Sequence, residues 1–486
     1  MVFSSLLFVF AFLVICYGLY MIVPGIKARN VVLLLFSLAF YAWGGPSFLI
    51  LLLLMTFICY LGGRLIQGHT KHKKLWLAGT LILCLGLLGF YKYTGFFLTN
   101  VQMIIGIPTV IPQITLPIGI SFYTFQLLSY VIDVYRGDVP AQKKYWLLLL
   151  YAALFHQCIA GPIIRYSDVN NEILERRITQ SDVAKGITRF ASGLAKKAVL
   201  ANGCAAIVAD LVEAPADFAG TPTEYLATVS GAGILLAAVC YMLEIYLDFS
   251  AYSDMAIGMG LMIGFHYREN FNYPYIADSV TDFWRRWHMS LSSFFRDYVY
   301  IPLGGNRVPL WRHIFNLFVV WFLTGLWHGA SWNFVLWGLY YFLFLVIEKF
   351  VLRLSKQSHG IMRGIRTAGT LVIVCFGWMI FYYTDLSMLG TAIAGIFCGN
   401  GNPFVDLAVE TKLLGNIFFL AVSVLACTPI IPAIGRFFEK KRAEGKGKAA
   451  VAVYDAVTAI LPVGLLLLSL LSLVGDSFNP FLYFQF

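Results

Sequence analysis

Charge is scarce in this sequence. Asp, Glu, Lys and Arg make up 12% of its 486 residues, about half the roughly 25% of an ordinary soluble protein. With 59% hydrophobic residues, so little polar surface cannot cover a water-soluble domain, and a soluble enzyme is excluded. Cysteine lacks any pattern. The nine cysteines are scattered through apolar runs, as at Cys16, Cys59, Cys84 and Cys240, with no CxxC pair and no metal-ligand spacing, so they read as small apolar packers. Internal repeats and low-complexity stretches are also missing, and with them the repeated halves typical of many transporters. The first 23 residues form a full-length apolar run with no small-residue cleavage site, which reads as a first membrane span rather than a secretory signal.

What is present is long hydrophobic runs, over about 2–23, 31–62 (broken at Trp43-Gly44-Gly45-Pro46), 75–98, 116–132, 146–164, 226–247, 255–265, 314–330, 333–350, 367–383, 413–434 and 451–474. At about 20 residues per crossing, this predicts an all-α polytopic membrane protein with about 10–12 transmembrane helices. The chain carries 35 Lys+Arg against 25 Asp+Glu, a net charge of +10, and its cations sit in short loops. That placement is a topology signal and not a nucleic-acid footprint. The loops holding Lys71 to Lys74, Lys143-Lys144, Arg176 to Lys197, Arg353 to Arg366 and Arg436 to Lys448 are assigned to the cytoplasm. Residues 99–115, 213–224, 385–410 and the tail 476–486 have few or no cations and are assigned outside, the C-terminus among them.

Two segments do not read as simple spans. Residues 166–212 mix charges with Ala and Val at helical spacing, which predicts an interfacial helix leading into a short span. Residues 266–313 are too polar to cross lipid and too apolar for a free loop. Such backbone survives at membrane depth only inside protein or beside water, so a re-entrant, cytoplasmic-side segment lining a cavity is predicted. The whole of 1–486 reads as one membrane domain.

Polar residues embedded in apolar runs are the functional candidates. His328 lies in Trp327-His328-Gly329-Ala330-Ser331-Trp332-Asn333, where an imidazole walled by aromatic rings can take a proton from a hydroxyl while excluding water. A packed histidine bonded to a carbonyl fits the same pattern. His288 lies in Trp284-Arg285-Arg286-Trp287-His288. Here Arg285, Arg286, Arg296 and Arg307 could hold the phosphates of a nucleotide-bearing donor, or simply anchor the segment at headgroup depth. Asp248 and Asp254 are six positions apart and share no helical face, so they read as caps or as partners of an arginine rather than an acid/base pair. Glu244 and Asp133 are judged the same way.

The run Trp284 to Arg307, with Asp297-Tyr298-Val299-Tyr300-Ile301-Pro302-Leu303-Gly304-Gly305, closely resembles the membrane-bound O-acyltransferase family. Leu326-Trp327-His328-Gly329-Ala330, Leu116 to Gln126, Ala160-Gly161-Pro162-Ile163 and Tyr246 to Met255 add to the match, which within the family is to the alginate O-acetyltransferase branch. The resemblance implies a ring of transmembrane helices with re-entrant segments around a central tunnel. It also implies a principal catalytic histidine at His328 and a second at His288. Arg285, Arg286, Trp287, Trp327, Trp332 and Asn333 are the implied donor-binding or tunnel-lining residues. The tail Phe481-Leu482-Tyr483-Phe484-Gln485-Phe486 is similar to a C-terminal aromatic pattern of this branch and of the D-alanylation system, in which a tyrosine is proposed to carry the acyl group. Tyr483 is therefore a candidate acyl carrier, with an interfacial aromatic anchor as the competing reading.

The expected activity is transfer of acetyl groups from a cytoplasmic thioester, acetyl-CoA, across a bacterial inner membrane for O-acetylation of an extracellular or cell-wall polysaccharide such as alginate. The donor is a substrate, and no permanently bound cofactor or metal is expected. The expected partners are the lipid bilayer and a separate extracytoplasmic polysaccharide acetyltransferase, with no nucleic acid. The alternatives are an acceptor such as teichoic acid or peptidoglycan, a proton-coupled transporter, and a noncatalytic scaffold.

Overall fold

The computed structural model describes residues 2–106, 110–354, 358–475 and 480–482. Among them are only helices, turns and extended connections. The first four helices, α1 (Phe8–Ile22), α2 (Ile26–Gly44), α3 (Pro46–Gly68) and α4 (Lys73–Ile105), pack in sequence order beside α5 (Ile120–Arg136). Two short helices follow, α6 (Tyr145–Ala153) and α7 (Tyr166–Leu174), and then a continuous helix α8 over 180–212. A two-turn α9 (Pro222–Thr228) leads into α10 (Gly231–Met262), the most buried long helix. The Glu224 carboxylate caps α9 by accepting from the Thr221 backbone N–H at 2.7 Å, and those bonds from Thr221 hold its pKa below the usual range.

Seven described helices are long and apolar enough to cross a bilayer. An eighth exists if Leu407–Gly415 and Ile417–Ala426, bent by 61°, form one span. The remaining apolar runs in the sequence are short, broken or buried helices. The run 146–164 is a nine-residue helix that ends at Ala153, followed by a wholly buried stretch of turns and bends. The runs 226–247 and 255–265 are not two spans: both belong to α10, whose acids interrupt the hydropathy but not the helix. Asp248 is paired with Lys197 at 2.6 Å, and Asp254 with Arg189 at 2.9 Å and with Lys196, all from α8. The predicted arginine partner is present for Asp254, whereas Asp248 is held by a lysine.

The same pairing corrects the reading of 166–212. Instead of an interfacial helix and a short span, α8 is a single rod running along α10 through the interior, with Lys197 only 3% exposed. Small residues allow this closeness: a Cβ on Gly186 would sit 2.6 Å from the Gly258 carbonyl, and one on Gly193 would sit 2.8 Å from that of Ala251.

Residues 264–309 fold back as extended chain and short helices, among them α11 (Val280–Arg286) and α12 (Met289–Phe295). A helical hairpin follows, α13 (Leu310–His328) and α14 (Trp332–Val351), and then α15 (Gly360–Tyr382), α16 (Leu386–Cys398), α17 (Leu407–Gly415), α18 (Ile417–Ala426), α19 (Ile430–Ala443) and α20 (Lys448–Gly475). The cationic stretches and the cation-poor loops lie at opposite ends of α4 and α15.

Candidate active site

His328 is the last residue of α13, and Gly329 breaks the helix there in an extended conformation. A helix end leaves carbonyls without intrahelical donors, and at this depth no bulk water is present to satisfy them. Helix α4 supplies the donors. The Tyr93 hydroxyl donates to the Leu326 carbonyl at 2.7 Å. The Lys92 ammonium donates to the carbonyls of Trp327 and, at 3.3 Å, of His328, and also to the Ser121 hydroxyl at 3.3 Å. At 1.5 Å per residue, Lys92 is about 28 Å along α4 and His328 about 27 Å along α13 from their cationic-loop ends, so the two meet at one depth.

The imidazole of His328 is 6% exposed and enclosed by rings, its centroid 5.0 Å from Trp327, 4.8 Å from Trp337 and 5.2 Å from Phe381. Beside it is a cavity of about 90 Å³ lined by Lys92, Pro117, Gly119, Ser121, Ile159, Trp327 and His328, among others. It extends toward Leu116 and Pro117, in the connection that follows the uncharged end of α4.

His288 is held differently. It has left-handed backbone, φ 42°, at the entry to α12, and is 1% exposed. Its Nδ1 lies 3.1 Å from Asn270 Oδ1, an acceptor, so Nδ1 carries the hydrogen and Nε2 the lone pair. Asn270 is fixed in turn: its Nδ2 donates to Ser253 at 3.1 Å, and its Oδ1 accepts from the Ser290 hydroxyl at 2.8 Å. The Trp327 ring, 5.8 Å from that of His288, stands between the two histidines.

A model of the membrane-bound O-acyltransferase family matches residues 144–392, the stretch that contains both histidines. The chain belongs to this family. It is 39% identical to a probable alginate O-acetylase of Azotobacter vinelandii across all of both chains. It is 33% identical to a peptidoglycan O-acetyltransferase of Helicobacter pylori over 85% of this chain and 82% of that one. A teichoic acid D-alanyltransferase of Bacillus subtilis is 28% identical over 54% of this chain and 68% of its own. The protein is thus a multi-pass membrane O-acyltransferase.

Of the residues singled out in its sequence, this acyltransferase brings only some together. His328 and Trp327 line the cavity, and His288 packs against Trp327 without lining it. Trp287 is buried but stacks away from the cavity, on Phe283 at 5.6 Å and Trp378 at 4.7 Å. Asn333 is buried and ties α14 to α15 by donating to the Phe381 carbonyl at 3.1 Å. Trp332 does not narrow a tunnel: it is 52% exposed, and its indole N–H donates to Asn100. Arg285 and Arg307 are exposed, Arg286 is bound to Asp282 at 2.9 Å, and Arg296 to Asp297 at 2.7 Å. None of these arginines lines the His328 cavity. Tyr483 lies outside the described residues.

Sequence reasoning missed Lys92, Tyr93, Asn270 and Ser290. The signal for Lys92 was available, since it is a lone cation inside the run 75–98. Lys92→Met keeps the length of the side chain but removes the donors that fix the end of α13. It is expected to lower acyl transfer about 10–100-fold, in the range found for displaced supporting groups, while melting in detergent changes little. A Lys92→Met protein with wild-type turnover would show that the cap has no part in placing His328.

Proposed function

We propose that the protein moves acetyl groups from a cytoplasmic thioester, acetyl-CoA, through the His328 chamber for O-acetylation of an extracellular or cell-wall polysaccharide such as alginate. The observation that carries this reading is the cavity beside His328. Its lining of Lys92, Ser121, Trp327 and His328 sets a small space of about 90 Å³ directly against the imidazole, where a thioester carbonyl and an acceptor hydroxyl can meet. The activities of the relatives, O-acetylation of alginate and of peptidoglycan, support the same acyl group.

In this mechanism the pantetheine arm extends from the cationic side and brings the thioester carbonyl to the chamber. Exposed Arg285 and Arg307 are available to its phosphates. His328 takes the proton of an acceptor hydroxyl, the hydroxyl oxygen attacks the thioester carbon, the C–S bond breaks, and the proton passes to the departing thiolate. The rings of Trp327, Trp337 and Phe381 keep out the water that would otherwise hydrolyse the thioester. His288, oriented by Asn270, presents its lone-pair nitrogen on the far side of Trp327 and assists in placing the donor.

The acceptor hydroxyl is that of Tyr483, which then passes acetyl to a separate extracytoplasmic acetyltransferase that touches the sugar. Two facts support this. Leu482, the residue before Tyr483, bonds to Asp248, and the ring of the adjacent Phe249 is 4.7 Å, edge-on, from His288. The bacterial inner membrane is the location consistent with this chemistry. Purified protein given acetyl-labelled acetyl-CoA is expected to lose the thioester and gain label on the C-terminal peptide. Tyr483→Phe is expected to abolish that label. Label of wild-type intensity in Tyr483→Phe would rule out the tyrosine as carrier.

A further inference from the structure

The described part of the C-terminal tail, Pro480 to Leu482, is held inside the protein. Helix α20 faces outward along most of its length, but in its last turn the Ser472 hydroxyl donates to the Ala198 carbonyl of α8 at 2.7 Å. Pro480 is then found against the neighbouring Lys197, so the chain turns inward at this depth. The depth is central: Lys197 is about 26 Å along α8 and Asp248 about 26 Å along α10.

The contacts made there are of an unusual kind. The Lys197 ammonium donates to the Pro480 carbonyl at 3.2 Å, and the Leu482 backbone N–H donates to Asp248 Oδ2 at 3.0 Å. Between them Phe481 is 1% exposed, its ring 4.9 Å from the Lys197 ammonium and 4.8 Å, edge-on, from the ring of Tyr252. Lys197 and Asp248 are 3% and 2% exposed and bond each other at 2.6 Å. A buried pair of this kind adds little stability over well-packed apolar residues, so its presence calls for another role.

We propose that the Lys197–Asp248 pair is a docking clamp for the C-terminal segment, one that grips the main chain of residues 480–482 on either side of the buried Phe481 ring. The cation takes a carbonyl and the anion takes an N–H, the two groups that every non-proline residue offers. Because the two charges neutralise each other, departure of the segment leaves neither charge unpaired, and docking is reversible. What docking accomplishes rests on the reading of Tyr483 as acetyl carrier: the clamp sets the tyrosine's neighbour beside the chamber for loading and releases it for delivery. The clamp itself rests only on the contacts above.

The test uses the full chain in nanodiscs, with the photo-crosslinker p-benzoyl-phenylalanine in place of Phe481 and cross-linked peptides mapped by mass spectrometry. The parent is expected to give an intramolecular crosslink to peptides from 180–212 or 231–262. Leu482→Pro removes the donor to Asp248 and leaves the ion pair intact, and it is expected to lower the yield about tenfold, the factor for losing a hydrogen bond to a charged group. Leu482→Ala, which keeps the N–H, is expected to retain the crosslink. The double variant Lys197→Met, Asp248→Leu should behave as Leu482→Pro does, and if it fails to fold the two Leu482 variants decide alone. No crosslink in the parent, an undiminished yield in Leu482→Pro, or equal losses in Leu482→Ala and Leu482→Pro would overturn the clamp. Acetyl label on the tail is followed in parallel. A crosslink that obeys these expectations in a protein whose tail is never labelled would uphold the clamp and overturn the carrier.

Discussion

His328→Ala is expected to lower acetyl transfer by about 10²–10⁴-fold, the contribution of a positioned general base, with the protein still folded. The imidazole ends a helix whose last carbonyls are held by Lys92 and Tyr93, and both tethers bind backbone, so neither depends on the side chain of residue 328. Truncation therefore enlarges the adjoining 90 Å³ cavity without releasing the helix end. The measurement is thioester loss from labelled acetyl-CoA in nanodiscs, with melting followed alongside. Turnover equal to wild type would remove His328 from the chemistry and reopen the transporter and scaffold readings. A folded variant with residual turnover at the level of Lys92→Met would mean that His328 positions the substrate but moves no proton.

Gly338→Leu is expected to destabilise the protein by about 3 kcal/mol or more, at the upper end of what overpacking costs. A Cβ at this position would lie 2.4 Å from the Trp321 carbonyl oxygen and 3.3 Å from the Gly325 backbone. These are main-chain atoms in the middle of α13 and cannot turn aside as a side chain would. Gly325 meets α14 in the same way, its Cβ position 2.4 Å from the Phe334 carbonyl, so the two glycines form one close helix contact. Forcing the hairpin apart also withdraws Trp337, which packs on the His328 ring at 4.8 Å. The check is the melting temperature in detergent together with acetyl transfer. A Gly338→Leu protein with unchanged melting would show that the hairpin is held elsewhere. The milder Gly338→Ala places the same first carbon and is expected to lose stability in the same direction.

Legibility differed from element to element. The hairpin α13–α14 is visible in the sequence as two apolar runs around Gly329-Ala330-Ser331, and its central histidine stands out because imidazole is rare among such residues. The helix α10 was split in two because Asp248 and Asp254 lower the hydropathy of any window that contains them. Their partners Lys197, Lys196 and Arg189 are 51 to 65 positions away in the sequence, and no window reads them together. Residues 166–212 were assigned to an interface for the same reason, since Lys197 looks exposed until its anion is found. Asn270 was invisible as the support of His288: an asparagine in a polar stretch carries no mark of what it holds.

The sequence by itself determined the solvent of this protein, the ends of its long helices that carry cations, its family, and which imidazole to suspect. All four follow from local composition or from motifs contiguous in the chain. Only the tertiary structure decided that Lys92 and Tyr93 cap the helix bearing His328, that Asn270 accepts the Nδ1–H of His288, and that residues 480–482 rest on a buried ion pair. Each of these is a pairing between donor and acceptor, or cation and anion, brought together by packing from distant points of the chain. Inside a membrane such groups must be satisfied by protein, so the pairings are obligatory once the helices assemble, but which group meets which is set by the packing of the helices.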